Sequence, residues 1–123
     1  MPFTYCQSTG ILTFPDGAQT MQCYSGIAEG FDNHAMQDVM NTGPIPVGTY
    51  VIGPAFDHPQ CGPLTMRLTP TPETDTFGRS GFCVHGDNTA RNHTASHGCV
   101  IVPPYPRALI AEPPGGLLLK VVP

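Results

Sequence analysis

Two residues in this sequence have the types and spacing for nucleophilic catalysis. His85 ends the apolar run Gly81-Phe82-Cys83-Val84, and Cys99 follows 99 − 85 = 14 positions later, inside Ser96-His97-Gly98-Cys99, at the head of the β-branched run Val100-Ile101-Val102. A thiol attacks a carbonyl as its thiolate, so it needs a base or a positive charge to draw its proton off near neutral pH, and a neutral imidazole is the usual supplier. The pattern therefore makes Cys99 the nucleophile and His85 its base. Gly98, with no Cβ, lets the backbone turn sharply and brings its own N–H and that of Cys99 toward one point where an oxyanion can be held. Ser96 braces that loop, and His97 holds it through hydrogen bonds. Asp87, or a backbone carbonyl in Gly86-Asp87, orients the imidazole.

Other chemistries fit the same residues less well. His85, His93, His97, Cys99 and Asp87 all carry zinc-binding atoms, but structural zinc sites draw paired ligands from two separated segments, whereas these crowd one loop. No metal or other cofactor is expected. Papain-like hydrolases place the cysteine before the histidine, the reverse of the order here. Sortases place histidine first but much farther upstream, with an arginine on a later strand; Arg107, the only arginine after Cys99, lies in a proline-rich segment. His34 and His58 sit in polar loops and read as solvated bystanders.

The pattern His85-Gly86, a polar loop, then Ser96-His97-Gly98-Cys99 resembles the signature of L,D-transpeptidases, cysteine enzymes that act on the peptide stems of bacterial peptidoglycan. With Tyr5-Cys6-Gln7-Ser8-Thr9-Gly10, Gly43-Pro44-Ile45-Pro46-Val47-Gly48-Thr49-Tyr50 and Phe77-Gly78-Arg79-Ser80-Gly81-Phe82, it is most similar to the L,D-transpeptidase effectors of the type VI secretion system. The resemblance implies a stem-peptide substrate attacked after the L-centre of its third residue, diaminopimelate. It also implies delivery by a secretion apparatus into the periplasm of rival bacteria and a cognate immunity protein in the producer. The general pattern carries an arginine or asparagine shortly after the cysteine, where this chain has Val100-Ile101-Val102. Arg79 is the substitute for holding a substrate carboxylate, since a planar guanidinium pairs with one; the alternative is that it bonds backbone carbonyls of its loop. A non-catalytic peptidoglycan-binding module and an endogenous crosslinking enzyme are the competing functions.

The whole chain must build the scaffold for this pair. Its 123 residues suit one domain over 1–123. With 11% charged residues, one lysine and a net charge of −4, it has no basic surface for nucleic acid or an anionic membrane. No stretch reaches the length of a membrane span, and Met1-Pro2-Phe3-Thr4-Tyr5-Cys6 lacks the basic and apolar segments of a secretory signal. Cys6, Cys23, Cys61 and Cys83 allow three bridge connectivities or none, with Cys99 left free. Fourteen glycines and fifteen prolines in a chain that is 40% hydrophobic point to short elements joined by tight turns.

Alternating residues predict strands over 3–7, 11–14 and 20–25, an antiparallel start punctuated by Ser8-Thr9-Gly10 and Pro15-Asp16-Gly17. Asn33 caps a predicted helix over 33–40 that Gly43-Pro44 stops. Further strands are predicted over 49–53, 64–69, up to His85, 99–102 and 117–122, with two helical turns over 105–111. The sum is a mainly β single domain, a small sandwich or barrel with one or two short helices, which is also the catalytic fold that the resemblance implies.

Overall fold

The structure, a computed structural model, describes residues 2–20, 22–90, 94–111 and 117–123. Alternation of buried and half-buried residues along β1 (Phe3–Cys6) lets it pair antiparallel with β2 (Leu12–Thr13), which pairs in turn with β3 (Gln19–Thr20). The expected third strand divides at this point. Tyr24 and Ser25 form β4 and pair with Val100 and Ile101 at the opposite edge of the sheet. Their hydrogen bonds explain the departure: Ser25 Oγ accepts from Ile45 N at 2.8 Å and donates to Gly98 O at 3.3 Å, and the Tyr24 hydroxyl donates to Asp87 at 2.7 Å. Partners tens of residues away outweigh continuation of a local meander.

The expected helix over 33–40 is a single 3-10 turn over His34–Met36, although Asn33 caps it as expected by accepting from Ala35 N at 3.1 Å. Val39 and Met40, the rest of its apolar face, are 37% and 60% exposed, so no packing extends it. The central hairpin is longer than its alternating segments suggested. β5 (Gly48–His58) and β6 (Gly62–Pro70) run through Gly53-Pro54 because register shifts between Ile52 and Ala55 and between Phe56 and His58 absorb the interruption.

β7 (Cys83–His85) pairs antiparallel with β6 and parallel with β8 (Val100–Ile101); α1 (Pro104–Ala111) follows, and β9 (Leu118–Val122) inserts between β1 and β5. The nine strands form one sheet in the order β3-β2-β1-β9-β5-β6-β7-β8-β4. Laid flat, eight interstrand spacings would separate β3 from β4 by about 38 Å. The four residue steps from Thr20 to Tyr24 span at most about 14 Å, so the sheet must curl until its two edges approach. Tyr5, Leu12, Ile45, Tyr50, Met66, Val84, Val100 and Leu119 fill the inside of that curl. Among the described residues, no helix is long and apolar enough to cross a membrane.

Candidate active site

Strand pairing brings the two chemical residues together. Val84 of β7 and Val100 of β8 are register partners and both lie in the core, so their chain neighbours Cys83, His85, Cys99 and Ile101 take the other face of the sheet. His85 is paired with Ile101. Cys99 therefore lies diagonally from it, at about 8 Å between Cα atoms from the usual strand spacing and rise, a span that an imidazole and a thiol can bridge. Cys99 is partly exposed, and its thiol donates to Gly81 O at 3.8 Å.

His85 is 5% exposed, and its Nδ1 lies 2.8 Å from the Gly86 carbonyl. A carbonyl only accepts, so Nδ1 carries the proton and Nε2 keeps its lone pair, the state a base requires. Of the two orienting groups expected from sequence, the Gly86 carbonyl therefore makes the contact. Asp87 does not hold the ring: its Oδ1 accepts from the Tyr24 hydroxyl and from Asn88 N at 2.9 Å.

The loop before Cys99 is organised by Ser96. Its buried hydroxyl accepts from Gly26 N at 2.9 Å and Gly98 N at 3.2 Å, and donates to Cys99 O at 2.6 Å. This corrects the reading of the Gly98 amide as an oxyanion donor, because that N–H is committed to Ser96. What Gly98 supplies is conformation: its φ of +133° strains any residue with a side chain, and a Cβ would lie 2.6 Å from Arg79 Nη2. His97 is exposed, and its contribution to the loop is a backbone carbonyl that accepts from Arg79 Nη2 at 3.3 Å.

Arg79 also departs from its expected role. It is 6% exposed, and its Nη atoms donate to the carbonyls of Gln37, Gly43 (2.9 Å), Pro44 (2.8 Å) and His97. A guanidinium used in this way ties the segment before β5 to the Cys99 loop and has no free fork for a carboxylate. The alternative left open by the sequence, bonding to backbone carbonyls, is the one observed.

Two further residues, which the sequence reading named without giving them a role at the site, also belong to it. Arg107 of α1, 8% exposed, donates to Val102 O at 3.2 Å and packs so closely on Gly86 that a Cβ there would lie 1.9 Å from its Nη1. Val102 N in turn donates to His85 O at 3.0 Å, so the helix is coupled to the histidine on two sides. The second is Cys83, which precedes Val84 as Cys99 precedes its register partner Val100, so that the two cysteines lie side by side on adjacent strands. Its position two residues before His85 in a strand was a legible signal for a shared face. Arg107 had none, since nothing in a proline-rich run tells which carbonyl a helix will reach. All five cysteines are free thiols. Among the described residues no group of three or more His, Cys, Asp and Glu side chains is placed to hold a metal; His93 lies outside them.

Burial, with the nearby Arg107 charge, holds the His85 imidazole below its ordinary value, opposed by its bond to Gly86. Between the folded value and the higher unfolded one the unfolded chain binds the proton, so stability is lost as pH falls through that window. The same shift keeps the imidazole neutral in mildly acidic solution. The acidic limb of kcat/KM against pH is expected below the free-imidazole value, and Arg107→Gln moves it upward by removing a repelling charge. A limb unmoved by that change would separate Arg107 from the histidine.

A cleft of about 970 Å³ is lined by Tyr24, Asp32, Gly86, Asp87, Asn88 and Arg107 among others, and neither His85 nor Cys99 is on its lining. A smaller one of about 170 Å³ lies between Met40, Arg79 and His97.

Residues 19–113, a span holding both His85 and Cys99, match the model of the Tlde1 domain. The chain belongs to that family. The Tlde1 domain is that of the type VI secretion L,D-transpeptidase effectors, so the family likeness read from the His85 and Cys99 motifs holds. No curated protein matches the chain. Among solved structures it is similar to the helical cell shape determining protein Pgp2 from Campylobacter jejuni, with a TM-score of 0.67 at 17% identity over 97% of this chain and 46% of that one. A point mutant of Pgp2 gives 0.63 at 15% identity, covering 97% and 45%. The chain thus spans less than half the length of Pgp2, and at such identity the likeness concerns the fold, which is the mainly β one expected.

Proposed function

We propose that this Tlde1 domain is a peptidoglycan-modifying cysteine enzyme that trims and exchanges the ends of stem tetrapeptides. The observation that carries the reading is the Nδ1 contact of His85 with the Gly86 carbonyl, which presents the Nε2 lone pair on the sheet face that Cys99 shares. His85 Nε2 takes the Cys99 proton, and the thiolate adds to the carbonyl that follows the L-centre of the third stem residue. The tetrahedral oxyanion is held by the Cys99 amide, and Ser96 fixes the loop that aims it. Collapse expels the terminal D-alanine, protonated by His85, and leaves an acyl-enzyme.

Water then releases a tripeptide, and a free D-amino acid gives an exchanged tetrapeptide. A second whole stem would have to be ordered at about 0.5–1.5 kcal/mol per immobilised side chain, and Arg79, the arginine the sequence offered for holding a stem carboxylate, is used internally. Trimming and exchange both remove the donor stems on which crosslinking depends, which fits a toxin delivered by a type VI apparatus into a rival's periplasm and neutralised at home by an immunity protein. The test is mass spectrometry of muropeptides incubated with the protein, with and without free D-amino acids. Tripeptides and exchanged tetrapeptides are expected; dominant dimers joined through two third residues would overturn the choice of acceptor, and an unchanged profile would overturn the enzyme.

A further inference from the structure

The larger cleft is lined by a buried cation that the chain does not satisfy. Arg107 is 8% exposed, and a guanidinium carries a fork of N–H donors, yet among the described residues its hydrogen bond is Nη1 to Val102 O at 3.2 Å, and its Nε is buried without a partner. Buried charges are normally paired, because lost hydration has to be replaced. Asp87, the residue after the Gly86 on which the guanidinium packs, turns instead to the Tyr24 hydroxyl and Asn88 N, and it is exposed on the cleft wall. The lining thus offers a guanidinium without a counter-ion and, on the next stretch of chain, an open carboxylate. The complement of such a pair is a carboxylate and an ammonium on one carbon, an α-amino-acid group.

The position of the cleft says how that group is connected. Ile101 lines it and is the register partner of His85, and Gly86 follows His85, so the cleft opens one step beyond the His85 and Cys99 pair. Neither of those two residues is on its lining. A group seated there is tethered to the reacting acyl group and is not itself the reactant, since a free amino acid that attacks an acyl-enzyme must bring its amine to Cys99.

We propose that this cleft is a specificity subsite for the zwitterionic end of the third stem residue, with Arg107 holding its carboxylate and Asp87 its ammonium. This rests on the reading of the substrate as a stem peptide cut at that residue. Diaminopimelate carries both groups on its far carbon, at the end of a short methylene chain, and a carboxylate bound by a guanidinium makes charge-assisted bonds that replace the hydration Arg107 lacks. At about 970 Å³ the cleft has room for that chain end and for neighbouring stem atoms.

Isothermal calorimetry on the intact protein tests this with two tripeptides, which have no fourth residue to lose: one ending in diaminopimelate, the other in lysine, which keeps the ammonium and lacks the far carboxylate. The lysine peptide is expected to bind about tenfold more weakly or worse, the scale of a lost hydrogen bond to a charged group. Arg107→Gln lowers the diaminopimelate peptide to the level of the lysine one and leaves the latter nearly unchanged, whereas a merely structural arginine would weaken both alike. Asp87→Asn weakens both peptides by a similar factor, and because Asp87 is exposed this arm stands even if Arg107→Gln does not fold. Equal binding of the two peptides by the intact protein, no binding of either, equal weakening in Arg107→Gln, or displacement of the tripeptide by tenfold excess D-alanine would each overturn the subsite. Muropeptide conversion is scored separately: conversion with equal binding removes the subsite and keeps the enzyme, and selective binding without conversion does the reverse.

Discussion

Cys99→Ala is expected to abolish conversion of tetrapeptide muropeptides, with a loss on the order of 10⁴- to 10⁶-fold, the range seen when one member of a concerted nucleophile and base set is removed. His85→Ala falls almost as far, and the double variant is no worse than the more damaged single one, because without either residue the remaining partner has no proton to pass. The fold should tolerate both changes. Cys99 is partly exposed on the face away from the core, and neither side chain belongs to the core cluster that Val84 and Val100 help to form. Thermal midpoints near that of the parent, measured beside activity, would assign the loss to chemistry. Full activity in Cys99→Ala would remove the thiol from the mechanism, and with Cys83 adjacent, alkylation mapping would show whether that neighbour had taken its place.

Arg79→Met is expected to have the largest effect on stability, about 3 kcal/mol or more, read as a fall in the urea midpoint. The methionine covers similar apolar surface but leaves the carbonyls of Gln37, Gly43, Pro44 and His97 without their donor. Two of these bonds, to Gly43 and Pro44, are buried, where an acceptor without a partner is most costly. The guanidinium also lies over the Phe82 ring, at 5.5 Å from its centroid, so the Cys99 loop loses one of its walls. The same variant separates the two roles considered for this arginine. A substrate anchor would leave the urea midpoint in place and raise KM, whereas a brace lowers the midpoint and reduces alkylation of Cys99 along with turnover. Arg79→Lys should recover little, since one ammonium cannot replace a planar fork spread over carbonyls from separate segments.

Much of this protein was determined by local patterns. A histidine that ends one apolar run and a cysteine that opens another mark two strand ends, and strand periodicity sets which residues of each share a face, while the pairing of β7 with β8 makes those ends neighbours. The Gly98 conformation, the Asn33 cap and the class of the fold were legible for the same reason: each depends on residues within a turn of one another. Tertiary structure decided the groups that surround the pair. Whether Gly86 or Asp87 orients His85 depended on Tyr24, 63 positions from Asp87, claiming the carboxylate. Arg79 became a brace because carbonyls 35, 36 and 42 positions earlier in the chain lie within reach of its planar fork. The division of the 20–25 segment between opposite edges of the sheet, and the buried Arg107 against Gly86, follow from the curl of nine strands around one core. A hydrogen-bond donor's type is written in the sequence, but which distant acceptor it meets is settled only when the sheet closes, since each buried polar group must find its partner in the same compact arrangement.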